Sequence, residues 1–453
     1  MKQVMKKRKK TFSSVQIILL GFFGLVLLGS FVLSLPISSQ NGQPVPYIDA
    51  LFTATTSVCV TGLVTVPTAF AWSVFGQAVI LVLIQIGGLG VVTVMAAFMI
   101  SLKKKMGMDD RILISDSFNL SSMDGIAVFV KKVLALTFTI EGIGALLYMT
   151  VFIPEFGLTG IWFGIFHSVS AFCNAGIDLL GSASLCPYVL NPVVNFTTMF
   201  LIISGGLGFV VWFDIFENLR HKRRRGIRFL SLHSKIVLSV TTVLLIGGGI
   251  VYFLLECNNP LTIGNYSFGE KAMVSLFQSV TTRTAGFATI PQENLTGGSS
   301  FLSLLLMFVG GSPAGTAGGV KTVTLFVLFM TTLAVIRSKR TVDVFHRQIS
   351  LEIAKKALAV FLFSMLVVIG STFLLLVVQG GDLMDILYET VSATATVGLT
   401  RNYTGGLNFF GKMIIILTMY FGRVGPISLA FAFSTDKRRE NSVVNPQEDV
   451  IVG

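Results

Sequence analysis

The sequence predicts an all-α integral membrane protein built from four tandem repeats around one axis. Three observations lead there. Of 453 residues, 53% are hydrophobic and 12% charged, about half the roughly 25% charge of an average soluble domain. Twenty-eight of the 34 basic residues fall in five clumps. Between the clumps one short motif recurs four times.

The formal net charge is +12. A basic balance has several meanings, among them nucleic acid, anionic lipid and membrane topology. The clumps lie in residues 1–12, 102–132, 217–235 and 337–356 and in the tail after 434. Basic loops stay cytoplasmic because translocating them is disfavoured. Topology thus explains nearly all the excess, and no nucleic-acid partner is expected. The partner implied is the lipid bilayer, with both termini inside a cell membrane. Cys59, Cys173, Cys186 and Cys257 show no metal-ligand spacing, and are read as unpaired.

Each element follows in order. Residues 15–36 give the first apolar run, long enough to span, and no cleavage site marks it as a signal peptide. In each interval a spanning stretch leads, a shorter amphipathic segment follows, and a second long apolar stretch closes. The short segments read LFTATTSVCVTG, IFHSVSAFCNAG, LFQSVTTRTAG and LYETVSATATVG, ending at Gly62, Gly176, Gly286 and Gly398. The spacings are 114, 110 and 112 residues, the signature of a fourfold repeat. The third copy is one residue shorter. A second glycine mark follows each, at Gly87, Gly205, Gly310 and Gly422. The expected layout is a basic N-terminus 1–12, repeats at 13–102, 126–217, 235–337 and 355–433, linkers at 103–125, 218–234 and 338–354, and a tail 434–453.

The clumps decide how the short segments run. If each segment spanned, successive clumps would alternate sides, against the positive-inside rule. If each enters and leaves from outside, every clump is cytoplasmic. Non-helical backbone at membrane depth is tolerated only where it lines a watery path. Four re-entrant loops therefore predict one pseudo-fourfold pore, with eight membrane helices and four pore half-helices. Each half-helix aims its negative dipole end at the axis, which favours a cation. The returning stretches VTG, NAG, TAG and TVG can present backbone carbonyls in place of a hydration shell. Glycine permits the backbone angles this needs. No acidic ring is present, which argues against divalent selectivity. The loops lack a longer TVGYG run, so fewer strong binding sites are expected.

On these motifs the chain resembles the Trk/Ktr/HKT superfamily of potassium transporters, most of all the membrane subunit of a bacterial Ktr system. TRTAGF at 282–287 is among the most specific signatures, and the resemblance runs from about Val15 to Phe433. It implies that each repeat is an M1-P-M2 unit. It implies a cation filter at Val60, Thr61 and Gly62; Asn174, Ala175 and Gly176; Thr284, Ala285 and Gly286; and Thr396, Val397 and Gly398. It further implies channel-like potassium uptake, potassium at the filter carbonyls, no cofactor in this chain, a homodimer, and a cytoplasmic ring of nucleotide-binding regulatory subunits.

Ionisable groups within a span are functional candidates. Arg423, in YFGRVGP, is expected below the filter. Two readings are open, an electrostatic barrier, which the resemblance favours, and a structural pairing with a carboxylate. Gly310, Gly311, Gly315, Gly318 and Gly319, with Pro313, cannot hold an uninterrupted helix. Residues 310–319 are read as a broken segment below the filter, which the resemblance implies is a gate. Lys321 either anchors that segment or plugs the path; the rival is a kinked helix packed on small residues. Glu141 and Arg283 are read as scaffold, paired with each other in one version. Arg401 sits at the mouth, pointing away or paired with Asp178.

The residues speak against two other classes. A solute symporter would favour inverted repeats, whereas these repeats run the same way. An intramembrane enzyme needs a nucleophile–base pair or metal cluster at depth. Of the histidines, His221, His233 and His346 lie in basic clumps and His167 at a pore helix. The residues do not separate potassium from sodium, and a sodium-permeable member of the superfamily stays open.

Overall fold

The computed structural model describes residues 14–102, 107–118, 125–220, 226, 229–339 and 341–425. The expected basic N-terminus 1–12 and tail 434–453 lie outside the described residues. So do residues 103–105, 221–225 and 426–433.

The helices come in four groups. The first holds α1 (Ser14–Leu33), α2 (Tyr47–Cys59), a short α3 (Thr68–Ala71), α4 (Val74–Leu89) and α5 (Val91–Ser101), with α6 (Met108–Phe118) after it. The second holds α7 (Ile126–Phe156), α8 (Thr159–Phe172), α9 (Pro192–Gly206) and α10 (Phe209–Arg220). The third holds α11 (Leu232–Glu256), α12 (Phe268–Thr281), α13 (Gly297–Phe308) and α14 (Thr322–Ile336). A small hairpin, β1 (Val342–Val344) with β2 (Arg347–Ile349), leads to α15 (Leu351–Val378), α16 (Leu383–Ala395) and α17 (Phe409–Val424).

The leading helices α1, α7, α11 and α15 have 20, 31, 25 and 28 residues, each apolar enough to cross a bilayer. Their outer faces are greasy: α1 exposes Phe23, Leu28 and Phe31, and α15 exposes Leu366, Ile369 and Phe373. The inside is the more polar side. Helix α2 buries Thr53, Thr55, Thr56 and Ser57. Apolar outside and hydroxyl-rich inside is the pattern of a chain whose solvent is lipid. Helix α1 stops at Leu33, short of the expected 36, because Pro36 opens a 3-10 turn and restricts the residue before it.

The short segments form α2, α8, α12 and α16, of 13 or 14 residues each. At ~1.5 Å per residue they reach about 20 Å, too little for a ~30 Å hydrocarbon core.

The closing stretches depart from the expected continuous spans. Helices α4 and α5 meet at 98° across Gly90, and α9 and α10 meet at 95°. In the third group the break runs between Phe308 and Thr322, and α17 ends at Gly425 with φ +88°. The sequence reading placed a break only in the third repeat. The physical reason lies in the second glycine marks. A β-carbon on Gly87 would collide with the Val58 carbonyl, one on Gly205 with that of Phe172, and one on Gly422 with that of Thr394. Each of those carbonyls belongs to the residue four before a motif glycine. Close backbone approach demands glycine there, and a glycine-rich turn is where a helix most readily breaks.

Candidate ion filter and gate

The chain leaves each pore helix by the same backbone switch. Val60, Asn174, Thr284 and Thr396 adopt φ of 56°, 59°, 68° and 53°. Two residues later Gly62, Gly176, Gly286 and Gly398 have φ of 98°, 65°, 78° and 94°. The residue between is not left-handed. Backbone that alternates hand turns successive carbonyls to one side, whereas a regular strand would alternate them. Three of the four left-handed residues, Val60, Thr284 and Thr396, are β-branched, which makes them outliers. Such strain, about 1–3 kcal/mol each, persists only where neighbours over-determine it.

The neighbours are visible. One hydroxyl residue per motif ties the return stretch to its helix. Thr61 N donates to Thr56 O at 2.9 Å, and Gly62 N to Thr56 Oγ1 at 2.9 Å. Ala175 N donates to Ser170 O at 2.7 Å, and Ile177 N to Ser170 Oγ at 3.1 Å. Val397 N donates to Ser392 O at 2.8 Å, and Gly398 N to Ser392 Oγ at 3.0 Å. In the shorter third copy Ala285 N reaches Thr281 O at 3.0 Å, four residues back instead of five. The hydroxyl column at 56, 170, 281 and 392 was present in the four motifs and went unread.

The four stretches close into a ring. A β-carbon on Gly62 would lie 2.6 Å from the Ala175 carbonyl oxygen. One on Gly176 would lie 2.5 Å from Ala285 O, and one on Gly286 2.5 Å from Val397 O. One on Gly398 would collide with Thr61 O. Each glycine thus touches the carbonyl of the next repeat, and the fourth returns to the first. Eight of the twelve residues named from the sequence form these contacts, and Val60, Asn174, Thr284 and Thr396 directly precede them in the chain. Gly62, Gly176, Gly286 and Gly398 also line one cavity of about 500 Å³, together with Asp178 and Glu293.

Seams between repeats hold the collar. Lys412 pairs with Asp49 at 2.5 Å, joining α17 to α2, and Thr65 Oγ1 donates to the same Asp49 at 2.7 Å. Arg401 does not meet Asp178. It pairs with Asp385 at 2.7 Å and donates to Gln292 O and to Ser300 Oγ. Asp178 instead accepts from Leu180 N at 3.1 Å, and burial pushes its carboxyl up to about 6. Glu141 and Arg283 do not pair either. Glu141 accepts from Gln85 Nε2 at 3.3 Å, and Arg283 Nη2 donates to Gly310 O at 3.4 Å. His167 Nδ1–H donates to Phe163 O at 2.7 Å.

Residues 310–319 lie directly against the collar. Asn174 Nδ2 donates to Thr316 Oγ1 at 2.9 Å, and Thr316 Oγ1 donates to Phe172 O at 3.0 Å. A β-carbon on Gly318 would collide with Thr396 Oγ1. The segment is also threaded to the break between α9 and α10. Ser312 N donates to Gly206 O, Thr316 N to Gly205 O, and Phe209 N to Ala314 O. Lys321 Nζ donates to Ala317 O at 2.5 Å and to Gly318 O at 3.4 Å, gripping the segment from its end. Thr316 was not named from the sequence, because a threonine between glycines carries no pattern of its own.

Arg423 has no carboxylate partner among the described residues, so the pairing reading is corrected. Its guanidinium donates to Thr316 O at 2.5 Å, to Gly87 O, and to Gly88 O at 3.3 Å. A fork of donors suits three carbonyls that a single ammonium could not span.

The profile of the TrkH cation transport proteins matches residues 22–443. The chain belongs to the TrkH family. It is 40% identical to the potassium/sodium uptake protein NtpJ of Enterococcus hirae, over 99% of this chain and 100% of that one. It is 38% identical to the Ktr system potassium uptake protein B of Bacillus subtilis, over 98% and 97%. The solved structure of the potassium transporter TrkH from Vibrio parahaemolyticus shares the fold, with TM-score 0.75 at 18% identity over 96% of this chain and 87% of that one. TrkH-family chains are multi-pass membrane transporters, not enzymes, which removes the intramembrane enzyme.

Proposed function

We propose that this chain carries potassium into the cell by a channel-like path through the collar. Potassium is the cargo, held in turn by the carbonyls of Val60, Thr61 and Gly62 and their counterparts in the other repeats. The closed cycle of glycine-to-carbonyl contacts carries this reading: it sets four backbone stretches around one axis and requires glycine at each step. Residues 310–319, with Lys321 as anchor, act as the gate beneath the collar. Arg423 is a barrier that also latches Thr316, so charge and closure act at one place. The four repeats enter and leave from the same side of the membrane, with both termini cytoplasmic. A homodimer and a nucleotide-binding regulatory ring complete the proposed assembly; likeness to protein B of a Ktr system supports a further component.

The test is rescue of a bacterial strain lacking potassium uptake, with rubidium flux into proteoliposomes. Rescue at low potassium and flux blocked by potassium excess are expected. Absence of both sinks the reading. A second reading, sodium passage by the same path, is supported by the potassium/sodium name of the Enterococcus relative. Sodium flux undiminished by potassium would favour it.

A further inference from the structure

Helix α10 turns 95° away from α9, and its first residue, Phe209, donates its N–H to Ala314 O of the segment 310–319 at 2.9 Å. Helix α10 also touches α7 through the edge-to-face pair Phe129–Phe213, with ring centroids 5.3 Å apart. Beside this contact the two helices part around a groove of about 800 Å³. Lys132, Leu136 and Thr139 line it from α7, and Phe213, Phe216 and Arg220 from α10, with Glu217 on the same helix. On α7 the residues follow helical spacing, 132, 136, 139, and on α10 they mirror it, 220, 216, 213. Each helix thus lays down a stripe with a basic end; Glu217 adds one acidic group on α10, and the two cations leave the groove with a net positive charge. Lys132 and Arg220 are exposed, and neither forms an ion pair among the described residues. Two cations above apolar walls match a phosphate headgroup above acyl chains, and basic side chains at that depth snorkel toward a headgroup.

We infer that the groove between α7 and α10 binds an anionic phospholipid, its phosphate between Lys132 and Arg220 and its chains along Leu136, Phe213 and Phe216. The bound lipid holds α10 where Phe209 keeps Ala314 in place, and so favours the segment 310–319 resting against the collar. This rests on the gate reading above for its effect on flux, and on geometry alone for the binding.

The full chain is placed in symmetric vesicles of phosphatidylcholine with or without phosphatidylglycerol, which makes the outcome independent of leaflet. Native mass spectrometry is expected to find phosphatidylglycerol adducts that fall at least tenfold in Lys132→Gln/Arg220→Gln and persist in Lys355→Gln/Lys356→Gln. Rubidium flux is expected to fall severalfold with phosphatidylglycerol in the native chain and to ignore it in the first variant. Equal adducts on both variants overturn the site. So does inorganic phosphate reproducing the flux change in phosphatidylcholine vesicles, which assigns a soluble anion. Spontaneous cross-linking of Phe216→Cys between two copies overturns it in favour of a subunit interface. Adducts that depend on Lys132 and Arg220 beside unchanged flux keep the site and overturn its hold on the gate. A chain silent in every lipid fails the transport reading, and the adducts still decide the site.

Discussion

Gly398 rests on the carbonyl of Thr61, although 337 residues of chain separate them. This contact closes the collar, and the Lys412–Asp49 pair, the Arg423 bonds to Gly87 and Gly88 and the Tyr420 bond to Leu19 O join the same two repeats around it. Serine at 398 would need a left-handed backbone, costing a side chain ~1–2 kcal/mol, and would strike Thr61. Gly398→Ser should lower rubidium flux at least tenfold, and Gly62→Ser, Gly176→Ser and Gly286→Ser should do the same. Potassium flux with unchanged selectivity in all four would remove the filter assignment.

Arg423→Ala deletes donors to three carbonyls and the cation below the collar. Charge-assisted hydrogen bonds of this kind are each worth about 1.5–3 kcal/mol. Basal leak should rise severalfold, with Arg423→Lys between the two because a point charge cannot bridge all three carbonyls. A lasting drop in conductance counts against the barrier.

Thr316→Val keeps the shape and removes the bonds to Asn174 and Phe172. Two hydrogen bonds at ~0.5–1.5 kcal/mol each imply a shift of roughly 5- to 150-fold toward the open gate. Single-channel open probability reads this directly, and deletion of 310–319 should raise flux further. An unchanged open rate in both would reject gating by this segment.

Asp178 lines the cavity beside the four motif glycines, with its carboxyl pushed up to about 6 by burial. Its charge is present at pH 7 and fades as pH falls through 6, so uptake at low potassium should decline between pH 7 and 5. Asp178→Asn should flatten that decline. The sign for stability is opposite to that of a salt-bridged acid. The folded carboxyl holds its proton more tightly than the ~3.9 of an unfolded chain, so ionisation weakens the fold above pH 6 and costs nothing below about 4. Asp178→Asn should therefore melt slightly higher at pH 7, and equally at pH 4.

Much of this was legible before any coordinates. Four motif glycines at near-constant spacing and one-sided basic clumps were enough for the collar and its four half-helices, because both are written in local sequence. The bends at Gly90 and between α9 and α10 were not legible. A glycine cluster in an apolar run reads the same whether it packs a straight helix or breaks one. Arg401 found Asp385 because a pore helix and its return loop fold back on each other, which spacing alone does not reveal. Among the described residues Arg423 bonds only to backbone oxygens, and a carbonyl has no letter in the sequence.

The collar is written once along a single chain, so its quarters are inherited separately. In a ring of four identical subunits every substitution strikes all four sides together. Here a change touches one side in four, and the missing residue of the third motif is an instance already in place. Such a ring can change one quadrant at a time, leaving the other three as they were.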